Sequence, residues 1–484
     1  MHFRSSALIA SAACALSLSS ASAQMMDAMD APPPKQAVPS PFIAYSQPVI
    51  AFVHAEIVDG TGGKPQRDMT LISDHGIISS IGPSTKIAVP DGATTIDMHG
   101  MTLLPGFVMV HEHLFYPMAG LNYDELLGSF PALYLAGGTT TARTAGTMSA
   151  DGDLNARKAI EAGTAIGPDF DLTGPYLTGP GLPIYKMHVL ADAADATRTV
   201  DYWASEGINS FKAYMHITRD ELAAAVTAAH AHGLKITGHL CSVTYREAAE
   251  RGIDNLEHGF AASTDFVKDK QPDVCPVGAL ESLAALDVNS NAVKSLIDEL
   301  VSHHVALTST LTVFESFTPG RPEAPVAARD LLIPELRKSY EDIWAKVQTS
   351  AGAKIYGVVF PKLMKLEKMF ADAGGTLLSG TDPTGYGGVV PGFSAKRQIE
   401  LLVDEGFSFP QALRISTLNG AVYLGRDKSV GSLKVGKRAD IVVIEGDPTK
   451  DVTAIEHMPF VFKAGTGYRT DAIIDSFKGK VGLQ

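Results

Sequence analysis

Residues 105–113 read Pro-Gly-Phe-Val-Met-Val-His-Glu-His, and this stretch indicates more about the fold than any other part of the sequence. An apolar run ends in His111 and His113, and alternate side chains of a β-strand point to the same face. Two imidazoles at the end of a strand can supply half of a metal site. Because such pairs also occur by chance in long chains, the interpretation depends on further ligands elsewhere in the chain.

Strand-like and helix-like segments alternate through the middle of the chain. Short apolar runs predict eight strands, at Leu103–Val110, Thr139–Arg143, Asp169–Tyr176, Ile208–Tyr214, Lys235–His239, Ile253–His258, Val305–Leu311 and Gly375–Thr381. Helices are predicted between them, at Asp192–Glu206, Glu221–His232, Val243–Arg251 and Ala292–His303. Thr218 and Glu221 form a capping-box sequence at the start of one helix. This α/β alternation favours a (β/α)8 TIM barrel over residues 105–427, with a doubly wound open sheet as the alternative.

The two ends of the chain have a different pattern. Extended runs at Val49–Val58 and Met69–Ile81 are broken by Gly, Asp and Pro, and Ala439–Ile444 and Phe460–Ala464 resemble them. We therefore expect both termini to form one small β-sandwich domain, composed of residues 46–104 and 428–484.

The first residues are typical of a secretory signal peptide. A short basic start that includes Arg4 precedes an apolar run at 7–18, too short to span a bilayer, and Ala21-Ser22-Ala23 fits a cleavage site. The sequence predicts a signal peptide at 1–23, a flexible leader at 24–45 and an exported, periplasmic or secreted protein. A buried N-terminal helix is the alternative.

Composition excludes several classes of function. The chain has 484 residues, 45% of them hydrophobic, and a formal net charge of −13. No basic patch with interleaved aromatic residues is present, so nucleic-acid binding has no support, and no other segment resembles a membrane span. Cys14 would be removed with the signal peptide, and the remaining Cys241 and Cys275 can form a disulfide in an oxidising compartment; two buried free thiols are the alternative.

Four more polar residues lie at or near the ends of predicted strands: Lys212, His239, His258 and Asp382. Active sites of such barrels lie at the carboxyl ends of the strands. Each residue alone has an ordinary structural explanation, such as a hydrogen-bonded interior histidine. Together with His111 and His113, they favour a metal site.

The chain resembles the amidohydrolase superfamily, in its imidazolonepropionase-like and prolidase-like branch. The segments that carry the resemblance are Pro105–Phe107 before the histidine pair, Thr381–Pro383, Thr417–Ala421 and Gly431–Asp440. Gly431–Lys437 also fits G-x-x-x-x-G-K, but Arg438 replaces the required Ser or Thr and a strand follows, so a nucleotide-binding loop is excluded. The family often has Asp where this chain has Met109 and Thr144, which are supporting positions.

The resemblance implies a site for two divalent metal ions, with zinc as the predicted metal. His111 and His113 would bind one ion, and His239 and His258 the other. Lys212 would bridge them as a carbamate, and its apolar neighbours favour the neutral amine that carboxylation requires. Asp382 would be both a metal ligand and the catalytic proton shuttle.

The resemblance further implies a metal-dependent hydrolase of an amide (C–N) bond, in a dipeptide-like, N-acyl amino acid or ochratoxin-type aryl amide substrate. The residues predicted to contact this small molecule or short peptide are Arg143, Lys186, His188, Tyr214 and Tyr386. A lactonase, esterase or phosphotriesterase on the same metals is one alternative, and a non-catalytic metal-binding homologue is another. Similar proteins commonly form homo-oligomers.

Overall fold

The computed structural model describes residues 40–119, 122–182, 184 and 186–483. Within them, the chain has a mixed α/β fold, in which a sheet from both chain ends adjoins parallel strands that alternate with helices. No helix in these ranges is both long enough and apolar enough to cross a bilayer. The predicted signal peptide at 1–23, and residues 24–39 of the predicted leader, lie outside the described residues.

The chain ends form one nine-stranded sheet. Its strands are Ile43–Tyr45, Val49–Ile57, Gln66–Asp74, Ile77–Pro83, Thr94–Asp97, Met101–Pro105, Ile441–Glu445, Phe460–Lys463 and Thr466–Arg469. The predicted β-sandwich is not confirmed, because Met101–Pro105 pairs with Val49–Ile57 on one side and Ile441–Glu445 on the other and so joins all the strands in one sheet. Residues 40–45 belong to the predicted flexible leader, but Ile43–Tyr45 forms the edge strand beside Thr466–Arg469.

The sheet is strongly curved. Phe52 and Phe462 lie on strands that are separated by two others, which would put them about 14 Å apart in a flat sheet. Their ring centroids are instead 4.8 Å apart in an edge-to-face contact. The two halves of the sheet therefore pack on each other around one apolar core, which includes Leu71, Leu103 and Ile441.

The middle of the chain contains two parallel sheets. A three-stranded sheet contains Phe107–Glu112, Thr139–Thr144 and Asp169–Asp171, and a seven-stranded sheet contains Leu177–Thr178, His188–Val189, Ser210–Ala213, Lys235–Gly238, Asn255–Glu257, Ala306–Ser309 and Leu377–Ser379. Every residue of Phe107–Glu112 is buried, which explains its nearly continuous apolar sequence. A separate hairpin of Phe115–Ala119 and Asn122–Glu125 follows the histidine pair.

The predicted strand Leu103–Val110 is divided at Gly106. Met101–Pro105 belongs to the curved sheet, and Phe107–Glu112 begins the parallel strands. A Cβ atom at Gly106 would lie 2.2 Å from the side chain of Thr140, so only glycine allows this close approach. The chain therefore passes from one sheet to the other in a single residue.

Helices connect the parallel strands and extend beyond them. They are Phe130–Ala136, Ala150–Glu161, Ala193–Ser205, Arg219–Ala231, Tyr245–Glu250, Ala279–Ala285, Asn291–Ser302, Leu311–Ser316, Val326–Arg329, Pro334–Thr349, Lys354–Asp372, Ser394–Asp404, Phe409–Arg414, Gly420–Tyr423 and Thr470–Ser476. The capping box of Thr218 and Glu221 is confirmed, with both reciprocal hydrogen bonds present. Short 3-10 segments at Ser40–Phe42 and Val452–Glu456 and a π-helical turn at Ile415–Asn419 complete the helical elements.

Candidate metal centre

The six residues predicted as metal ligands lie together where the parallel strands end. His113, Lys212, His239, His258 and Asp382 line one small pocket of about 60 Å³. His111 lies directly behind this pocket and is fully buried. The sequence placed each of these residues at a strand end, and the fold brings the strand ends into contact.

His111, His113 and Asp382 form the most compact part of the pocket. Oδ1 of Asp382 lies 3.7 Å from Nε2 of His111 and 3.4 Å from Nε2 of His113. The three potential ligand atoms lie within 4.8 Å of one another, so these residues can hold a metal ion.

Hydrogen bonds on the far side of each ring orient these two histidines. Nδ1 of His111 donates to Oε2 of Glu257 over 2.7 Å, and Nδ1 of His113 donates to the carbonyl of Gly146 over 3.1 Å. With Nδ1 protonated, the lone pair of each Nε2 faces Asp382. Metal-binding histidines are usually oriented in this way, by a carboxylate or a carbonyl behind the ring.

Glu257 is a supporting residue that the sequence analysis missed. Its second oxygen accepts a hydrogen bond of 2.9 Å from Arg143, whose guanidinium also donates to Ser210 and Thr237. Arg143 was predicted to contact substrate, but it is buried in the interior and holds Glu257 instead. A signal was present in the sequence, since Glu257 is a charged residue within the predicted strand Ile253–His258, directly before His258.

Lys212, His239 and His258 form the other half of the pocket. Nζ of Lys212 lies 3.5 Å from Nε2 of His111, and the ring centroids of His239 and His258 are 4.4 Å apart. Nδ1 of His258 donates to Thr310 over 2.8 Å. Nε2 of His258 is buried without a hydrogen-bond partner among the described residues, and a metal ion would satisfy this atom.

Burial sets the protonation of these groups. It lowers the pKa of His111 to about 4 and that of His239 to about 3, so both imidazoles are neutral at pH 7 and retain a lone pair for a metal. Burial also lowers the pKa of Lys212 to about 8, so a larger fraction of its amine is neutral near pH 7.

Two of the candidate ligands have unusual backbone conformations. The φ angle is 68° at His258 and 52° at Asp382, in the left-handed region that residues other than glycine rarely adopt. Such strained positions cluster at functional sites, where the surrounding structure holds them. His258 directly follows the strand Asn255–Glu257, and Asp382 comes three residues after the end of Leu377–Ser379. The turn after each strand directs the side chain into the pocket.

Glu112 links the two strand ends that carry His113 and Asp382. Its carboxyl group accepts hydrogen bonds from the backbone N and the hydroxyl of Thr381, the residue before Asp382. Burial raises the pKa of Glu112 to about 8. Tyr134 also holds the end of the strand that carries His113, because its hydroxyl donates to the carbonyl of His113 over 2.7 Å.

The family to which the chain belongs follows from its similarity to known proteins. The sequence model of the amidohydrolase family matches residues 102–470. The chain belongs to the amidohydrolase family. The predicted resemblance is thereby confirmed, and the match supports the predicted hydrolase of carbon–nitrogen bonds.

Several known proteins are similar to this amidohydrolase. A candidate prolidase from Bifidobacterium longum has a TM-score of 0.67 and 25% identity, and the match covers 89% of this chain and 98% of that one. Bottromycin amidohydrolase has a TM-score of 0.68 and 19% identity, over 90% and 91% of the two chains. The dihydroorotase of Mycobacterium tuberculosis is 42% identical over 78 residues, which is 16% of this chain and 17% of that enzyme. That match thus spans about a sixth of the dihydroorotase.

Of the residues predicted to contact substrate, Tyr214 lines the pocket of this amidohydrolase. Lys186 is exposed and lies 3.9 Å from Asp124, and His188 lies 3.0 Å from Asp195. The hydroxyl of Tyr386 donates to the carbonyl of Ser316. These three side chains therefore have partners away from the pocket.

Aromatic and apolar residues that the sequence analysis missed complete the pocket wall: Phe115, Tyr123, Met148, Tyr176, Ile184 and Met187. Phe115 and Tyr123 come from the hairpin after the histidine pair, and the ring of Phe115 stacks on that of His113 at 4.4 Å. Pro117 within the first hairpin strand is a residue that usually argues against a strand, which hid this element in the sequence.

Cys241 and Cys275 form a disulfide in this amidohydrolase, with Cα atoms 4.8 Å apart. Cys241 lies two residues after His239. The bond therefore ties the segment that follows one candidate ligand to a distant loop.

Proposed function

We propose that this protein is a binuclear-metal amidohydrolase that cleaves an amide bond of a dipeptide-like or N-acyl amino acid substrate, including aryl amides of the ochratoxin type. The observation that carries the proposal is the convergence of four neutral histidines, Lys212 and Asp382 on one buried pocket. The aromatic wall formed by Phe115, Tyr123 and Tyr176 supports a substrate with an aromatic or apolar group beside the cleaved bond.

The proposed fold around this site is a closed (β/α)8 barrel. The parallel strands from Ser210–Ala213 to Leu377–Ser379 pair in the order of the chain, whereas a doubly wound sheet reverses its order. Thr173 bridges Ser210 where the two parallel sheets meet on one side. On the other side, the backbone N of Thr381 donates to the carbonyl of His111 over 3.1 Å.

The proposed ligands divide between two zinc ions. His111, His113 and Asp382 would hold the first ion, and His239 and His258 the second, with a carboxylated Lys212 between them. The neutral imidazoles, the unpartnered Nε2 of His258 and the lowered pKa of Lys212 support this set. Carboxylation would replace the buried ammonium of Lys212 with an anionic carbamate, which can bind metal cations.

A bound zinc ion supplies a water of lowered pKa and polarises the carbonyl of the substrate. The protein's own residues supply orientation and proton transfer. The carboxylate of Asp382 accepts the proton of the attacking water and delivers it to the departing nitrogen. The phenols of Tyr176 and Tyr214 line the same pocket, and their raised pKa values keep them protonated as hydrogen-bond donors to substrate oxygens.

The test combines metal analysis with a substrate panel at matched metal loading. The panel contains N-acyl amino acids, Xaa-Pro dipeptides, a lactone and an organophosphate. We expect about two zinc ions per chain and release of an amino acid. Turnover of the lactone or the organophosphate alone would contradict the amide substrate, and stoichiometric metal without any turnover would contradict an enzyme.

We also propose that the protein is exported after cleavage near Ala23. The support is the signal-like start of the sequence and the disulfide of Cys241 and Cys275, since disulfides persist in oxidising compartments. Cell fractionation with N-terminal sequencing tests this proposal. A cytosolic protein that begins at Met1 would contradict it.

A further inference from the structure

A second and larger cavity lies beside the candidate metal centre. Its walls come from the helices Leu311–Ser316 and Ser394–Asp404, the loop at 322–325 and the segment Val452–Glu456. Its volume is about 370 Å³, against about 60 Å³ for the metal pocket. Small-molecule sites typically have volumes of about 300–1,000 Å³, so this cavity is large enough for a ligand.

The walls of this cavity, which we call the lateral cavity, are mostly apolar. Ala324, Val389, Val390 and Phe393 supply much of the surface. Each carboxylate in the walls is paired with a cation of its own: Glu315 with Arg321, Glu400 with Arg397, Glu323 with Arg329, and Glu456 with Lys396. A ligand therefore meets no unbalanced charge from these groups, which favours a neutral molecule.

Ser394 provides one polar contact point. The residue is 5% exposed, and its hydroxyl has no hydrogen-bond partner in the described part of the chain. A buried hydroxyl without a partner costs free energy, which a ligand with one donor or acceptor would recover. Ser394 thus points to a ligand that is mostly apolar and carries one hydrogen-bonding group.

The loop at 382–393 connects the lateral cavity to the metal pocket. Asp382 and Thr384 line the metal pocket, whereas Gly388 and Val390 line the lateral cavity. A second link runs through Thr312, which lines the cavity and donates a hydrogen bond of 2.7 Å to the carbonyl of residue 381. A molecule in the cavity therefore contacts both connections to the proposed proton shuttle.

We propose that the lateral cavity is a second ligand site, for a neutral and mostly apolar small molecule with one hydrogen-bonding group. Its occupant changes turnover at the metal pocket through the loop at 382–393. The first statement concerns binding and is independent of the catalytic reaction. The second rests on the proposed amidohydrolase function.

The binding test uses N-phenyl-1-naphthylamine, a neutral fluorescent molecule with one N–H donor, on the full chain. We expect one saturable site. Ser394→Ala should weaken binding about fivefold, as expected for one hydrogen bond. Ala324→Trp should abolish binding because the indole fills the cavity. Val326→Trp is the matched control, since Val326 is exposed and lies outside the cavity wall, and it should bind as the wild type does.

A charged analogue tests the chemistry of the site. The related 8-anilinonaphthalene-1-sulfonate should bind at least about tenfold more weakly, because burying a sulfonate beside paired carboxylates is unfavourable. Equal binding of the two probes would overturn the neutral-ligand assignment. Unchanged binding in Ala324→Trp, or displacement of the probe by an amide substrate, would place the probe elsewhere and overturn the site.

Kinetics of the zinc-loaded enzyme tests the coupling. Saturating N-phenyl-1-naphthylamine should change kcat by at least about twofold without competing with substrate, and Ala324→Trp should abolish that response. Unchanged kcat at saturation would overturn the coupling. If the wild type hydrolyses no amide, the proposed function fails, but the fluorescence titrations still decide whether the lateral cavity binds a ligand.

Discussion

The two halves of the candidate metal centre differ in how the protein prepares them. His111 and His113 each have a hydrogen bond behind the ring, to Glu257 and to the carbonyl of Gly146. In the other half, His258 has one such bond to Thr310, whereas the ring of His239 has none within the described ranges. The protein itself therefore organises the first half, whereas metal and the carboxylated Lys212 would organise the second.

The largest expected effect follows from changing the residue at the centre of the first half. Asp382→Asn should lower kcat/KM by about a thousandfold, because an amide cannot accept the proton. Asp195→Asn, which changes a carboxylate outside the pocket, is the control and should retain activity. If Asp382→Asn keeps most of the wild-type kcat with metal bound, Asp382 is not the proton shuttle.

Lys212→Ala tests the second half. Without the proposed carbamate, this variant should lose bound metal and nearly all activity, and short carboxylates such as acetate should restore part of both. Lys186→Ala removes an exposed lysine and should change neither. Full metal content in Lys212→Ala, measured by mass spectrometry, would show that no carbamate on Lys212 is needed to bind the metal.

Acid should destabilise the metal-free protein through the buried histidines of both halves. In the folded state the pKa of His111 is about 4, against about 6.5 when unfolded. Since the folded value is lower, its stability contribution is present above pH 6.5 and is lost as the pH falls towards 4. At 1.36 kcal/mol for each pKa unit, the loss is about 3 kcal/mol for this residue. Urea unfolding of the metal-free protein at pH 7 and pH 4.5 checks this, and equal stability at both would contradict it.

Glu257→Gln tests whether hydrogen bonding behind the ring prepares the first half. It should lower zinc affinity by about 10- to 100-fold, because the amide weakens the orientation of His111. Thr310→Val removes the corresponding bond of His258 and should affect the second ion instead. Chelator competition measures both affinities. Equal loss of both ions in each variant would show that the halves are not prepared separately.

Tyr134→Phe should have the smallest effect. Its hydroxyl donates to the carbonyl of His113, so its removal leaves a buried acceptor without that bond. We expect kcat/KM to fall about fivefold with metal content unchanged. Loss of zinc in this variant would mean that Tyr134 is needed to form the first half and does more than adjust it.

Much of the fold could be predicted because it depends on local patterns. Short apolar runs predicted the parallel strands, and Thr218 with Glu221 predicted a helix start. Two features were missed for local reasons. Pro117 concealed the hairpin, and the apolar residues 103–110 predicted one strand across the domain boundary at 104–105, whereas Gly106 divides them between two sheets. The curvature of the nine-stranded sheet depends on packing between strands that are distant in the sequence.

The sequence by itself determined which residue types stand at the strand ends, and therefore the class of chemistry. Only the tertiary structure decided how they are used. Glu257 and His111 are 146 residues apart, and no local pattern relates them. Arg143 supports Glu257 from the interior, and the lateral cavity forms only where the helices Leu311–Ser316 and Ser394–Asp404 meet the C-terminal segment. The physical reason is that side-chain periodicity acts within one element, whereas ligand orientation and cavities arise from contacts between elements.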